Sequence, residues 1–532
     1  MQDRPLDLGM ILRHAERLHS RKTIATRVEG GIAEASFAEI GQRARRLVAA
    51  LRALGIRAED RVATFAWNHQ QHVEAYLGVP AMGAILHTLN IRLFEKDLAY
   101  IVEHAQDRVV IVDRSLLPAW EKVAKLVHCI EKTIVIDDGQ GPLLEGALDY
   151  EKLLAAHAPA SDLPEVPEDS AAAICYTSGT TGHPKGVVYT HRSNVLHAFM
   201  AAGVDTLALS EKDTVLPIVP MFHANAWGLP YGCLFAGANM VLPGRFTQPQ
   251  ILLELMTERR VTFAAGVPSV WLALLEPMKQ ARERLSVLER IGCGGSAVPP
   301  GLQRAYQDEL GIPILQAWGM TETSPLASVN CLSRVRRAQG AEREALLVSQ
   351  GRAVPGVELR ITDDAGAELP WDGESVGELE ARGPWIASSY YKDDSGARFH
   401  EGWLRTGDVA AISPDGAIRI TDRTKDLIKS GGEWISSVEV EGLLMGHPAV
   451  AEAAVIAVAH PKWCERPLAC VVFKKGASLD RAALLEWLRP KLARWWLPDD
   501  VVLVDEIPKT SVGKFDKKVL RERFKGHVLP ER

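Results

Sequence analysis

Short apolar runs alternate with amphipathic segments through the first third of the chain. Residues Asp107–Asp113 and Lys132–Asp137 have the length and the Val and Ile content of buried strands. Residues Phe37–Leu54 instead repeat apolar positions at helical spacing, which predicts a helix. Strands that alternate with helices are typical of a parallel sheet covered by helices. We therefore predict an α/β fold for this region.

A long stretch without charge lies further along the chain. No Asp, Glu, Lys or Arg occurs from Thr214 to Gly244, which is longer than the roughly 20 residues that a spanning helix needs. The stretch contains four prolines, including Pro217 and Pro230, and repeated prolines break helices. We predict buried pieces of strand, turn and helix that line an apolar pocket, and no integral membrane segment.

The pattern changes again towards the C-terminus. Residues Ala353–Ile420 contain many short β-like runs separated by turn residues, and the remaining segment is long enough to fold alone. We predict two domains, 1–421 and 422–532. The predicted fold class is α/β, with a large N-terminal domain of mixed sheets and covering helices and a small α+β C-terminal domain.

Composition excludes some classes of function. The 532 residues include 61 Lys and Arg against 67 Asp and Glu, a net charge of −6, so we expect no nucleic-acid partner. The seven cysteines form no CxxC pair, and the N-terminus has no apolar signal region. These features indicate reduced thiols and a cytoplasmic protein.

The strongest local motif is a loop rich in Thr, Ser and Gly. It runs from Thr177 to Lys185 between apolar, strand-like residues 171–174 and 187–188. Glycines let backbone N–H groups turn towards an anion, hydroxyls add donors, and Lys185 adds a positive charge. The alternative is an ordinary flexible hairpin. The loop is not a Walker A motif, because Gly186 rather than Ser or Thr follows the lysine.

Four further motifs follow this loop in order. They are Gln316–Glu322 (QAWGMTE), Gly402–Asp408 (GWLRTGD), Asp422–Lys429 (DRTKDLIK) and Pro508–Lys514 (PKTSVGK). Together the five motifs resemble those of the adenylate-forming superfamily of acyl-CoA synthetases, luciferases and adenylation domains. The chain is most similar to bacterial medium- and long-chain fatty-acyl-CoA synthetases, and the resemblance covers nearly its whole length.

The resemblance implies an AMP-forming acid–thiol ligase that uses ATP, Mg²⁺ and CoA. Thr177 and Glu322 correspond to the metal site, and Asp408 to the residue that binds the ribose hydroxyls. Trp318 replaces a Tyr or Phe that stacks on adenine, and an indole keeps that stacking face. The residues implied for binding nucleotide and CoA are Thr177, Ser178, Gly179, Thr180, Thr181, Lys185, Gly295, Gln316, Ala317, Trp318, Thr321, Asp408, Arg423, Lys425, Lys429 and Trp434.

The implied catalytic residues are Lys514, Glu322 and His223. Lys514 would bridge the carboxylate and the α-phosphate during adenylation. The C-terminal domain would be mobile, rotating near Asp422 so that Lys429 and Trp434 serve thioester formation. Without the motifs, Lys514 would be part of a solvated basic run, Glu322 a capping carboxylate and His223 a packed core histidine.

The uncharged stretch is the candidate acyl site. His223, Ala224, Trp227 and Gly295 are the expected substrate-binding residues, with Trp227 corresponding to a gate between the fatty-acid tunnel and the ATP site in long-chain members. Apolar walls suit a fatty acyl chain. Short-chain relatives that activate methylthio-propionate share much of the pattern, so chain length stays open.

Two other interpretations of the sequence remain open. One is a non-catalytic binding protein of the same fold, and the other is an enzyme that passes the acyl group to a carrier protein or to oxygen. The resemblance also implies a homodimer. At the position of Cys464 many relatives have Gly, and this departure leaves the local turn undetermined.

Overall fold

The first sheet carries the strands predicted from the N-terminal sequence. The computed structural model describes residues 2–139, 141, 144–177, 183–393, 395–430, 433–510 and 514–530, and the strands within these ranges form four sheets. In spatial order, the first sheet contains Leu148–Asp149, Lys132–Ile136, Asp107–Asp113, Arg61–Phe65, Ile85–Thr88, Ala171–Tyr176 and Gly186–Thr190. All neighbours are parallel except the last pair, which is antiparallel.

This sheet is buried on both faces. Along the strand Asp107–Asp113, Val109 and Ile111 pack into one apolar cluster while Val110 and Val112 pack into another on the opposite face. Continuous apolar runs are expected for such strands, because neither face meets water. The two strands predicted from the sequence are confirmed, and the second ends one residue early, at Ile136.

The second sheet supports the candidate site. In spatial order it contains Arg352–Ala353, Leu326–Val329, Ile314–Gly319, Arg290–Cys293, Phe263–Gly266, Thr214–Pro217, Asn239–Leu242, Thr23–Val28 and Gly31–Ser36. From Ile314–Gly319 through to Thr23–Val28 neighbouring strands are parallel, and antiparallel strands close both ends. Ligands bind outside the carboxyl ends of strands in sheets of this kind.

Two smaller sheets follow. The third contains Glu358–Thr362, Val376–Arg382, Trp403–Ile412 and Phe399–His400, with Ile418–Arg423 also paired to Trp403–Ile412. The fourth contains Glu433–Ile435, Ile428–Ser430, Cys464–Phe473 and Val450–His460, with Asp500–Leu503 also paired to Cys464–Phe473. The predicted boundary at 421/422 therefore falls within the last strand of the third sheet, and it stays a prediction.

Helices cover these sheets. Their bounds are Leu8–Leu18, Phe37–Ala53, Gln70–Ala81, Glu95–Ala105, Leu117–Ala124, Tyr150–Ala155, His191–Ala202, Leu229–Ala236, Pro249–Glu258, Pro268–Gln280, Pro300–Arg304, Leu332–Arg337, Gly340–Val348, Ser437–Met445, Arg481–Leu488 and Lys517–Arg523. The predicted helix beginning at Phe37 starts there because Ser36 and Glu39 form a reciprocal capping box. It ends at Ala53, one residue before the predicted end.

The uncharged stretch folds as expected into separate pieces. It contributes the strands Thr214–Pro217 and Asn239–Leu242 and the helix Leu229–Ala236. Among the residues that the structure describes, no helix is both long and apolar enough to cross a membrane. The mixed α/β fold class predicted from the sequence is confirmed.

Candidate active site

A cavity of about 1860 Å³ opens at the carboxyl ends of the parallel strands in the second sheet. It brings together most of the residues that the motifs singled out, across more than half of the chain. The predicted residues that line it are Thr177, Lys185, His223, Ala224, Trp227, Gly295, Gln316, Ala317, Trp318, Thr321, Glu322, Asp408, Arg423, Lys425 and Lys514. Ser178, Gly179, Thr180 and Thr181 lie outside the described residues.

The phosphate-loop lysine is held by an acidic and an aromatic partner. Lys185 Nζ lies 2.7 Å from Asp393 Oδ2 and 4.7 Å from the centre of the Tyr390 ring. The hydrogen bond from Lys185 holds the pKa of Asp393 well below its usual range. At the other end of the loop, Thr177 N donates to the Lys185 carbonyl at 2.9 Å, so the two strands stay paired up to the loop.

The candidate metal carboxylate is buried in a short helical turn after the strand Ile314–Gly319. The Tyr390 hydroxyl donates to Glu322 Oε1 at 2.6 Å, and Arg398 Nη1 lies 3.4 Å from the same oxygen. Both contacts fall on Oε1, and the residue lines the cavity. Mg²⁺ takes few protein oxygens and completes its shell with water and phosphate. Glu322 therefore fits such an ion.

Tyr390 and Arg398 were not singled out from the sequence. They belong to a loop without a recognisable motif, and only the fold brings that loop over Glu322. Arg398 Nη2 also donates to the Thr406 carbonyl at 2.7 Å, which anchors the guanidinium at the cavity wall. The hydrogen bond to Tyr390 and the charge of Glu322 raise the pKa of Arg398 against the opposing effect of burial. The guanidinium is thus a fixed positive charge beside the candidate metal site.

The candidate ribose carboxylate is engaged on both oxygens. Trp318 Nε1 donates to Asp408 Oδ2 at 2.8 Å, and Arg423 Nε lies 2.8 Å from Asp408 Oδ1. Asp408 and Arg423 face each other on adjacent antiparallel strands, which explains the second contact. An ionised carboxylate has about four acceptor sites, so two remain for a ligand.

Lys514 reaches into the centre of the cavity. Its Cε lies 3.3 Å from the place where a Cβ at Gly295 would stand, and Gly295 has a φ of +85° that favours glycine. Burial and the charge of Arg423 lower the pKa of Lys514 to about 8, against the opposing effect of Asp408 and Glu322. The lysine is therefore close to its titration point at neutral to mildly alkaline pH.

His223 lies beside Lys514. Burial, together with the positive charge of Lys514, lowers the pKa of His223 to about 3. The imidazole is therefore neutral at pH 7 and can donate or accept a hydrogen bond without adding charge. His223 therefore adds a neutral polar group to the lining of the cavity.

The apolar part of the cavity is walled by an unusual turn. Ala224, Asn225, Ala226 and Trp227 have φ values of 43°, 52°, 48° and 59°, which is a full turn of left-handed backbone. Each L-residue costs roughly 1–2 kcal/mol in this conformation. The Cys175 thiol donates to Asn225 Oδ1 at 3.3 Å, and the Tyr76 hydroxyl, which donates to the Met221 carbonyl, lies 3.4 Å from the same Asn225 oxygen. Strain of this kind clusters at functional sites.

Trp227 projects from this turn into the cavity. The tip of its indole lies 3.6 Å from the Cβ position of Gly294, at the end of a central strand. Apolar residues that line the same cavity include Leu207, Val219, Leu229, Phe263, Ala265 and Leu326. Trp227 therefore lines a cavity that also holds the charged motif residues.

The segment after the third sheet is joined to it through buried polar groups. Ser437 N and Oγ donate to Asp422 Oδ2 at 2.7 and 2.5 Å, and Lys517 Nζ lies 2.6 Å from Glu441 Oε1. Burial raises the pKa of Glu441 to about 7, while Lys517 opposes the shift. Lys517 lies three residues after Lys514, so this cluster anchors the chain that carries the lysine.

Lys429 and Trp434 are not among the residues that line the cavity. They face each other across a two-strand pair, and Lys429 Nζ lies 4.4 Å from the centre of the half-exposed Trp434 ring. Nearby, Cys464 has a φ of 64°, the left-handed conformation in which glycine costs least. The sequence leaves the backbone conformation at Cys464 undetermined, and the structure shows that it is strained.

Comparison with known proteins shows the family of this chain. The AMP-binding enzyme family matches residues 12–391, and the AMP-binding enzyme C-terminal domain matches residues 439–514. The chain therefore belongs to the AMP-binding enzyme family. It is an acid–thiol ligase of the adenylate-forming type, as the motifs predicted.

Individual relatives span the whole chain. A long-chain-fatty-acid–CoA ligase of Thermus thermophilus is 46% identical over 532 residues, with 99% of this chain and 97% of the relative covered. A 3-methylmercaptopropionyl-CoA ligase of Ruegeria lacuscaerulensis is 42% identical over 534 residues, with 99% and 98% covered. The crystal structure of the anthranilate CoA ligase AuaEII with anthranoyl-AMP has a TM-score of 0.87 at 28% identity, with 97% of each chain covered.

Proposed function

We propose that this protein converts a medium- or long-chain fatty acid, ATP and CoA into acyl-CoA, AMP and pyrophosphate. The observation that carries the proposal is a single cavity whose lining combines the charged motif residues with apolar side chains, and both Trp227 and His223 line it. The stretch Thr214–Gly244, which contributes Val219, Trp227 and Leu229 to the lining, has no carboxylate that could pair with a substrate ammonium group, and this favours a fatty acid over an amino acid. A fatty chain gains about 0.8 kcal/mol for each buried CH₂ group.

The first half-reaction joins the carboxylate to the α-phosphate of ATP. Both reactants are anionic, so positive charge must offset their repulsion. Lys514 supplies positive charge where the carboxylate and the α-phosphate meet. Lys185 supplies it at the phosphate loop, and Arg398 supplies it beside Glu322. A bound Mg²⁺ would neutralise phosphate charge, and Glu322 and Thr177 are the residues that would hold it. Asp408 binds the ribose hydroxyls, and Trp318 offers its ring face to adenine.

The second half-reaction transfers the acyl group to the CoA thiol. Lys429 and Trp434, which the resemblance assigns to this step, lie away from the cavity while Lys514 occupies it. This arrangement supports two working positions of a mobile domain 422–532. His223 is neutral and lies where the acyl carbonyl would stand, so it positions that group in both steps.

Three further proposals rest on the same resemblance. We propose Mg²⁺ as the metal, a homodimer as the assembly and the cytoplasm as the compartment. All seven cysteines lie in the described residues and are unpaired there, which supports a reducing compartment. Sedimentation of the purified protein tests the dimer, and pyrophosphate release titrated with Mg²⁺ against Ca²⁺ tests the metal.

Substrate screening tests the main proposal. Pyrophosphate release is measured with ATP and Mg²⁺ for straight-chain acids from C3 to C18 and for 3-methylthiopropionate, with and without CoA. We expect CoA consumption to accompany release, with an optimum at medium or long chains. An optimum at 3-methylthiopropionate would support the second candidate substrate, which the similarity to the Ruegeria enzyme favours. No release with any acid would contradict the proposal.

A further inference from the structure

The hydrogen bond between Trp318 and Asp408 gives the indole a role beyond stacking. Trp318 is 8% exposed and Asp408 is 3% exposed, so the bond is shielded from water. The acceptor is a carboxyl group, and hydrogen bonds to carboxylates are roughly twice as strong as those between neutral groups. A buried carboxylate that loses a hydrogen-bond donor still bears the free-energy cost of its desolvation, and no hydrogen bond then offsets that cost.

The two donors to Asp408 differ in how firmly they are held. Trp318 lies on the strand Ile314–Gly319 and pairs there with Ser328 of the neighbouring antiparallel strand. The Arg423 side chain is 42% exposed and follows Asp422, where the domain movement is predicted to pivot. Trp318 is therefore the donor that belongs to the rigid part of the site, and it stays with Asp408 if Arg423 moves.

We propose that Trp318 is a positioning residue for ribose recognition and acts through Asp408. Its N–H fixes the carboxylate so that the unused acceptor sites of the two oxygens point into the cavity, towards the 2′- and 3′-hydroxyls of ATP. The inference rests on the proposed function. It assigns part of the enzyme's selectivity for ribose over deoxyribose to a residue that does not touch the sugar hydroxyls.

Replacing the indole by a phenyl ring separates positioning from stacking. Trp318→Phe keeps an aromatic face and removes the N–H. We expect kcat/KM for ATP to fall by roughly tenfold or more, the usual effect of losing a hydrogen bond to a charged group. For 2′-deoxy-ATP and 3′-deoxy-ATP the fall is smaller, so the preference for ATP over each analogue shrinks several-fold.

A second tryptophan provides a matched control. The buried indole of Trp385 donates to the Leu326 carbonyl at 3.1 Å and has no contact with Asp408. Trp385→Phe removes the same kind of N–H near the site. We expect this variant to leave the ratio of kcat/KM for ATP to kcat/KM for deoxy-ATP unchanged. Asp408→Asn is the reference variant for lost ribose recognition. Because Trp318 acts through Asp408, the double variant Asp408→Asn with Trp318→Phe should have nearly the same kcat/KM ratio as Asp408→Asn alone.

The ratio of kcat/KM for ATP to kcat/KM for each deoxy analogue distinguishes a positioning role of Trp318 from a merely structural one. If Trp318→Phe lowers kcat/KM for ATP and both analogues by one common factor, the positioning role is overturned. It is also overturned if Trp385→Phe changes the ratio as much as Trp318→Phe does. Failure of the proposed function is distinct, because the unmodified protein would then release no pyrophosphate with any acid. Thermal melting of each variant confirms that it is folded.

Discussion

The lowered pKa of Lys514 predicts that the adenylation step weakens in mildly alkaline solution. Only the protonated ammonium can offset the charges of carboxylate and phosphate, so activity follows the protonated fraction. Burial, with Arg423 and Lys425 adding to it, lowers the pKa to about 8 against the opposing carboxylates Asp408 and Glu322. An ordinary lysine, with a pKa near 10.4, would stay charged throughout this range.

The size of the effect follows from the titration curve. With a pKa of about 8, the protonated fraction of Lys514 is about 90% at pH 7, about 50% at pH 8 and about 10% at pH 9. We therefore expect kcat/KM for ATP to fall about tenfold between pH 7 and pH 9, because this parameter reports the free enzyme. Bound triphosphate favours the charged form, so kcat should fall at higher pH than kcat/KM does.

The assay is acid-dependent pyrophosphate release without CoA, since the CoA thiol titrates in the same range. Lys514→Arg keeps a permanent charge, and its residual activity should show no alkaline fall. Lys509→Ala removes a lysine of the same loop that pairs with Glu452 instead, and it should keep the profile of the unmodified protein. If kcat/KM for ATP of the unmodified protein stays constant up to pH 10, the assigned role of Lys514 titration is refuted.

Three further substitutions give measurable outcomes. Trp227→Ala should shift the preferred acyl chain length and raise KM for the acid with little change in KM for ATP; an unchanged profile would remove Trp227 from the acyl site. Arg398→Ala should slow adenylation by roughly tenfold or more and spare thioester formation from supplied acyl-adenylate, whereas equal loss in both steps would contradict the placement. Cys464→Gly should stabilise the protein by ~1 kcal/mol, because glycine relieves left-handed strain of roughly 1–2 kcal/mol at a smaller entropic cost. Cys464→Ala keeps the Cβ and should bring no gain in thermal melting.

The elements of the fold followed closely from local pattern. The strand Asp107–Asp113 and the helix beginning at Phe37 lie where the apolar pattern predicts them. The gathering of Lys185, Glu322 and Asp408 in one cavity came from the order of motifs rather than from periodicity. These residues are far apart along the chain, and no local pattern indicates that they meet. Only the resemblance to the family predicts that they lie in one site.

Other features could not be read from the sequence. Alanine and tryptophan avoid left-handed backbone, so nothing in the residues Ala224–Trp227 predicts that turn; contacts from distant Cys175 and Tyr76 impose it. Arg398 belongs to an irregular loop, and only packing brings it to Glu322. In each case tertiary contacts outweigh local preference.

The continuity of the cavity has a consequence for inhibition. A molecule that joins an acyl chain to adenosine occupies both ends at once, and its second end binds with no further loss of translational freedom. Linking two binding groups in this way raises overall affinity by about 10²–10⁴-fold when the geometry permits both contacts. The enzyme should therefore retain its own acyl-adenylate far more tightly than fatty acid or AMP. A stable mimic of that intermediate, with an uncleavable link in place of the anhydride between the acyl carbonyl and the phosphate, should compete with ATP and the acid together.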